Sequence, residues 1–257
     1  MKIFFPLVLD PDLASKQPFS RMLNKFKHRS YETELLDAPN IQKDLLFKNL
    51  KELAFINRIL GGHSISLNGI KQLVTDKNKI YHIVDLGCGG GDLMQVIADW
   101  AVKGGYQVKL TGVDMNPDVI DYMNDYCKDY AEITGVASDY RDYLKTGVPI
   151  DIIHCSLFCH HLKDDELEEL FSYFKNYTKT GFVINDLHRH WLAYYGVYLI
   201  THLLNGSALS KNDGPISVMR AFKVKELHAL FQKSGISNYS IGWRWAFRYL
   251  VVGYNKD

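Results

Sequence analysis

This 257-residue sequence is poor in several features that would decide a protein's class outright. Cysteine is scarce: Cys88, Cys127, Cys155 and Cys159 include no Cys-x-x-Cys pair. Cys155 and Cys159 stand four apart, but the His160-His161 pair that follows lacks the spacing of a zinc knuckle. Neither a disulfide scaffold nor a structural zinc module is expected, and the thiols read as free and buried in a reducing compartment. An excess of one charge is also missing, since 30 Lys and Arg face 29 Asp and Glu for a net charge of +1. Enzymes of nucleic acids usually carry a basic excess or stripe. Here the densest basic stretch, Lys25–Arg29 with Arg21 before it, reads as a solvated helix face. No apolar run reaches the roughly 20 residues needed to span a bilayer, and the longest is Trp191–Leu204. Met1–Leu9 is interrupted by Asp10, Pro11 and Asp12, which is too short and too acidic for a signal peptide. A cytoplasmic location is expected. Internal repeats and low-complexity tracts are absent from the sequence.

What is present is ordinary globular material, 47% hydrophobic and 23% charged, of a length that suits one α/β domain with an elaboration. Residues 11–60 read as helices, with Leu35-Leu36, Leu45-Leu46, Leu50 and Leu53 at helical spacing, and Gly61-Gly62 stops them. A short helix follows over 64–74. From Ile80 strands and helices alternate. The strands are Ile80–Leu86, Val108–Val113, Ile133–Ala137, Ile150–Cys155 and Phe182–Asn185, with Tyr239–Trp245 and Tyr249–Tyr254 closing as an antiparallel pair. Helices are expected at Asp92–Lys103, from Asn116-Pro117 to about Tyr130, at Asp164–Tyr177, His190–Leu204 and Val224–Ser234. The pattern predicts an α/β fold with a Rossmann-like, mostly parallel seven-stranded sheet covered by helices on both faces. Residues 1–75 form an N-terminal helical lid or cap, residues 76–257 the main domain, and about 188–222 a helical insertion. Such sheets bind ligands beyond the carboxyl ends of their strands. That places the site at Leu86–Gly91, Asp114, Asp139 and Ser156–His161.

The run Val84-Asp85-Leu86-Gly87-Cys88-Gly89-Gly90-Gly91-Asp92 sits where a strand turns into a helix. A dinucleotide fingerprint would place glycine at position 92, and a carboxylate there repels pyrophosphate. That disfavours a dehydrogenase. A phosphate-cradling Gly-Lys-Ser/Thr is lacking as well. The pattern suits a ligand without phosphates that carries ammonium and sulfonium charges, with Asp85 as the complementary anion. Asp114 ends the next strand, where an acid can accept both hydroxyls of a ribose, and Met115 is placed to pack on an adenine face. Asp139 follows the third strand and can accept from the adenine amino group, with Tyr140 flanking the ring.

Together these segments resemble the class I S-adenosylmethionine-dependent methyltransferases. The resemblance rests on Asp85–Asp92, Val113-Asp114-Met115-Asn116-Pro117, Asp139 and Asp151–Leu162, and covers about residues 80–186. Cys155-Ser-Leu-Phe-Cys-His-His-Leu162 is similar to the ubiquinone/menaquinone-type, small-molecule branch. Asn57–Gly62, Asn185–His190 and Asp213–Ser217 resemble enzymes of polyketide and aromatic natural-product pathways. The resemblance implies S-adenosylmethionine as cofactor and S-adenosylhomocysteine as product. Gly87, Cys88 and Gly89 would pass the methionyl part, Asp114 would hold the ribose and Asp139 the adenine. The backbone at Cys155 and Ser156 would meet the methionyl amine, and Arg58 could pair with its carboxylate.

Methyl transfer from a sulfonium needs alignment of the nucleophile and exclusion of water. A phenolic acceptor also needs a base. His160 and His161 follow the fourth strand; Asp186, His188 and His190 follow the fifth. His161 and His188 are the favoured bases, with His160 as a further candidate. No facial-triad spacing is evident and no metal is expected. In place of the Asn/Asp-Pro-Pro-Tyr/Phe motif of amide and exocyclic-amine methyltransferases stands Ser156-Leu157-Phe158-Cys159, which favours oxygen or carbon acceptors. On helix 190–204, Trp191, Tyr194, Tyr198, Thr201 and His202 share one side, which could line a pocket for a flat hydrophobic molecule. The aliphatic side, with Leu192, Ala193, Ile200, Leu203 and Leu204, would pack on the domain. The aromatic side could equally be a homodimer interface. Phe19, Met22, Phe26, Tyr31 and Leu35 would cap the pocket, with Tyr31 touching substrate. The expectation is an O- or C-methyltransferase of a small aromatic or lipid-like metabolite. The alternatives are a nucleic-acid or protein methyltransferase and a non-catalytic S-adenosylmethionine-binding protein.

Overall fold

The computed structural model describes residues 24–38 and 40–255. Its seven strands are β1 (Ile80–Leu86), β2 (Gln107–Asp114), β3 (Ile133–Ala137), β4 (Ile150–Ser156), β5 (Thr178–Leu187), β6 (Tyr239–Arg244) and β7 (Arg248–Tyr254). They lie in the order β3-β2-β1-β4-β5-β7-β6, with β1 to β5 parallel and β7 antiparallel to both neighbours. The fold class read from the sequence is the one observed.

Each central strand splits its apolar side chains between two faces, as the two-residue period of a strand requires. Val84 and Leu86 join Ile153, Phe171, Phe174, Phe182 and Phe231 in one core cluster. Ile83 and Tyr81 join Ile152, Val183, Met94, Ile97 and Leu250 in the other. The first face is covered by helices Asp164–Tyr177 and Val224–Lys233, the second by Gly62–Leu73 and Asp92–Gly104. Strand order reverses between β1, which leads outward to β2 and β3, and β4. The loops after these two strands therefore diverge and open the crevice in which ligands of such sheets bind.

Two stretches differ from the sequence reading. Residues 29–38 and 40–42 do not form a long helix; they run largely extended, with a 3-10 turn at Leu35–Asp37. The cause is tertiary anchoring. The Asp213 carboxylate accepts from the N–H groups of Leu35 (2.8 Å) and Leu36 (2.9 Å), and the Ser30 N–H donates to the Met219 carbonyl. Phe19, Arg21 and Met22 lie outside the described residues. After the helix Trp191–Leu203 comes a second, Ala208–Arg220, which falls in the expected helical insertion at about 188–222 but is not named there as an element of its own. It contains Gly214 and Pro215, which propensity alone places outside helices.

The helix Pro117–Tyr126 follows the ribose-acid position and begins as its sequence predicts. Pro117 takes the first helical position and the Asn116 side chain accepts from the Asp118 N–H at 2.9 Å. Asn116→Ala is expected to cost about 1 kcal/mol. That should lower the thermal midpoint by roughly 2–4 °C in a domain of this size, as calorimetry would read.

Candidate functional site

The β1 loop is built for close approach. Gly87, Gly89 and Gly91 have φ of +69°, +52° and +76°. The N–H groups of Gly87 (2.8 Å) and Cys88 (3.2 Å) both donate to the Val113 carbonyl, folding the loop against the end of β2. At Gly87 a side chain is excluded twice, by the left-handed backbone and by the Phe158 ring, into which a Cβ would run. Leu50, on the helix Lys43–Ile59, lies over Gly89 from the other side.

The acids occupy the strand ends, in distinct settings. Asp85 is buried and its Oδ1 lies 2.6 Å from His154 Nδ1, while His154 Nε2 lies 3.0 Å from the Ser66 hydroxyl. Asp85 is thus engaged within the sheet. Asp114 is half-buried at the crevice, and its Oδ1 accepts from the Asn116 N–H at 3.0 Å. Burial raises the Asp114 carboxyl above its usual range; the Asn116 and Gly89 N–H groups and His161 work against that rise, and Asp85 adds to it. Met115 is 77% exposed beside it. Asp139 caps its own helix through the Arg141 N–H (2.7 Å). Tyr140 is buried and meets Phe158 edge-on at 5.6 Å, with its hydroxyl buried and unpartnered. Burial pushes that hydroxyl well above the usual tyrosine range. Cys155 is fully buried in β4, and Ser156 at the strand end is half-buried. Arg58 is exposed and lines a groove of about 280 Å³ with Leu50, Lys51, Gly90, Asp92 and Tyr122.

The histidines separate into two groups. His160 and His161 sit on a 3-10 turn (Cys159–His161) after β4, with ring centroids 4.4 Å apart. His160 Nδ1 lies 2.7 Å from Asp186 Oδ1, and the His160 N–H donates to Asp186 Oδ2 at 3.1 Å. Burial alone would raise the Asp186 carboxyl, but His160 and the backbone N–H bonds hold it below its usual value. His161 Nδ1 lies 3.2 Å from Asp37 Oδ1. Both rings turn toward the buried Glu34, whose carboxyl burial raises to about 7 despite His161, Ser217 and Arg220. Two arginines hold the turn. Arg220 donates to the carbonyls of His160 (3.2 Å) and His161 (2.6 Å), and Arg29 to those of His160 (3.3 Å) and Leu162 (2.9 Å). His188 stands apart, its ring tilted among those of His190, Phe247 and Tyr249. Burial lowers its imidazole to about 4, so it is neutral near pH 7.

The substrate helix departs from expectation. Leu192, Leu203 and Leu204 on its aliphatic side are exposed, and of the helix only Ala193 and Thr201 are buried. The reason is that the helix leans on its neighbour Ala208–Arg220 and on Phe26, not on the sheet. Tyr194 meets Phe26 edge-on and carries Lys25 over its ring. Trp191 stacks beside His190 and is half-buried; Tyr198 stacks on His202, both exposed. Tyr31 is 54% exposed, near Arg29. The structure therefore brings together Gly87, Gly89, Asp114, His160 and His161, and it does not bring His188, Tyr198 or His202 to them. Sequence reasoning missed Glu34, Asp37 and Arg220. All three depend on a segment folding back across the sheet end, and their spacing carries no periodic signal.

Comparison with known proteins agrees with this geometry. Residues 83–181 match the family model described as "Methyltransferase domain". Over 103 residues the chain is 33% identical to the ubiquinone biosynthesis O-methyltransferase of Coxiella burnetii strains, covering 40% of this chain. The match spans only 41% of the length of those relatives. Among solved structures, the plantazolicin methyltransferase BpumL in complex with SAH superposes with a TM-score of 0.59 at 14% identity, over 82% of this chain and 96% of that one. Human N-acetylserotonin methyltransferase in complex with SAM gives 0.60 at 14% identity, over 93% and 66%. The glycine loop, the acids at consecutive strand ends and the matched segment agree: residues 83–181 are similar to a methyltransferase domain, on a fold shared with solved methyltransferases in complex with SAH and SAM.

Proposed function

We propose that this protein transfers the methyl group of S-adenosylmethionine to an oxygen or carbon of a small aromatic or lipid-like metabolite and releases S-adenosylhomocysteine. The observation that carries this reading is the His160–Asp186 pair at the end of β4, on the same crevice rim as Asp114 and Gly87. Asp186 engages Nδ1 and leaves Nε2 buried without a hydrogen-bond partner. In the transfer the acceptor's electron pair forms the new bond to the methyl carbon and the carbon–sulfur bond breaks with its pair going to sulfur. The acceptor's proton goes to His160 Nε2, where Asp186 stabilises the cation formed. Gly87 and Gly89 carry the methionyl part, Asp114 the ribose and Asp139 the adenine. Tyr140 and Phe158 supply an aromatic wall. Residues 24–60 serve as the lid, since Leu50 covers the glycine loop and Glu34 and Asp37 face the histidine turn.

The test is turnover with methyl-labelled S-adenosylmethionine against phenols, catechols and 1,3-diketones, beside tRNA and peptides. Label is expected in a phenolic or enolic product, with one S-adenosylhomocysteine per transfer. Label in tRNA or peptide alone would replace the small-molecule reading.

A further inference from the structure

We propose that Glu34, His160 and His161 form a binding site for one divalent cation of the zinc or manganese class. The first ground is the arrangement of the two imidazoles. Each has its Nδ1 on a carboxylate, His160 on Asp186 at 2.7 Å and His161 on Asp37 at 3.2 Å. That leaves both Nε2 atoms as lone-pair donors, which is the arrangement outer carboxylates impose on metal-binding histidines. The second ground is where those donors point. His160 Nε2 lies 3.8 Å from Glu34 Oε1, and His161 Nε2 lies 3.9 Å from Glu34 Oε2. Both distances exceed a hydrogen bond. His160 is only 2% exposed, and its Nε2 is buried with no partner. A buried lone pair facing a buried carboxylate across such a gap is costly unless something positive fills it. Ligand atoms about 2.0–2.2 Å from a tetrahedral zinc lie roughly 3.4 Å from one another, so a small closure of this cluster completes the shell. All three ligand atoms already fall within 4.8 Å of one another.

Charge supports the same assignment. Glu34, Asp37 and Asp186 bring three carboxylates to the cluster. Arg220 faces two of them, 3.2 Å from Asp37 and 3.9 Å from Glu34, Arg248 faces Asp186, and the Ser217 hydroxyl donates to Glu34 at 3.0 Å. With neutral imidazoles and all three acids ionised, the two arginines leave a net negative charge that a bound cation would offset. Glu34 and His160 close the inner side, while His161 is half-buried and Asp37 exposed, which leaves a position open toward the crevice. Two histidines, one glutamate and an open position form the donor set of catalytic zinc sites.

The role of the cation, though not its binding, rests on the methyltransferase reading. A cation there would take an acceptor hydroxyl as its oxyanion, the proton passing to water, and hold that oxygen for attack on the methyl carbon. His160 would then be a ligand when the cation is bound.

The experiment is calorimetric titration of chelator-treated, full-length protein with Zn²⁺ and with Mn²⁺. One equivalent of at least one cation is expected. Glu34→Gln and His161→Ala should each weaken it a hundredfold or more, and Asp186→Asn roughly ten- to hundredfold. Circular dichroism checks that each variant folds, and the wild-type stoichiometry is informative even if one does not. Absence of saturable binding by either cation, or binding that Glu34→Gln and His161→Ala leave unchanged, overturns the site. S-adenosylmethionine is titrated into the same samples. Its binding without the cation's overturns the cation site alone, and the converse overturns the methyltransferase reading alone.

Discussion

His160→Ala should lower the rate of methyl transfer by about 10²–10⁴-fold while leaving affinity for S-adenosylmethionine within a factor of two. The split follows from geometry. His160 touches Asp186 on one side and faces Glu34 on the other, and its hydrogen bonds do not involve the glycine loop or Asp114. The loss holds whether Nε2 takes the acceptor's proton or ligates a cation that does the work. Asp186→Asn separates the two roles of that aspartate. An asparagine retains the shape and can still accept from the His160 N–H, but it cannot stabilise an imidazolium. Single-turnover methyl transfer read by product mass gives the rate, and equilibrium titration gives the affinity. A fall in affinity as large as the fall in rate would mean that His160 supports the cofactor pocket and not the chemistry. His188→Ala is the internal comparison: its ring lies in the aromatic cluster with Phe247 and Tyr249, so turnover should change far less.

Asp114→Ala should weaken S-adenosylmethionine binding by about ten- to hundredfold, the 1.5–3 kcal/mol typical of hydrogen bonds to a charged group. One Asp114 oxygen accepts from the Asn116 N–H at 3.0 Å, which fixes the side chain at the end of β2 and leaves acceptor capacity for a diol. Burial and the nearby Asp85 raise its carboxyl, so the site holds this charge at a cost. Hydrogen bonds from two hydroxyls would relieve that cost. Asp114→Asn should recover part of the loss, because the amide keeps one acceptor oxygen. Equal weakening by the asparagine and alanine variants would place the effect on the carboxylate charge.

The parts of the molecule built from local pattern were legible in the sequence. Strand runs such as Ile80–Leu86 announce themselves by composition and by the glycine that follows at Gly87, and the Asn116-Pro117 helix start is encoded in two residues. The glycine loop and the strand-end acids were legible because each sits at a strand-to-helix turn. The N-terminal segment was not. Leu35 and Leu36 have helical spacing, yet Asp213, far along the chain, captures their N–H groups. For the same reason no local pattern marks Glu34, although it is buried against His160. The orientation of the helix Trp191–Leu203 was misjudged because amphipathicity gives a helix two faces without naming the neighbour, and that neighbour is a helix containing Pro215. Of the three histidines singled out, His160 and His161 meet and His188 stands elsewhere. Sequence proximity to a strand end does not determine which way a ring turns.

The central claim is that the crevice between β1, β2 and β4 binds S-adenosylmethionine. Its most direct test is a calorimetric titration of the purified protein with S-adenosylmethionine, S-adenosylhomocysteine and NADH, repeated with Asp114→Ala. The account predicts one site for each sulfur ligand, weakened about ten- to hundredfold by the substitution, and no saturable binding of NADH. Binding of NADH in place of both sulfur ligands, or S-adenosylmethionine binding that Asp114→Ala leaves unchanged, would contradict it.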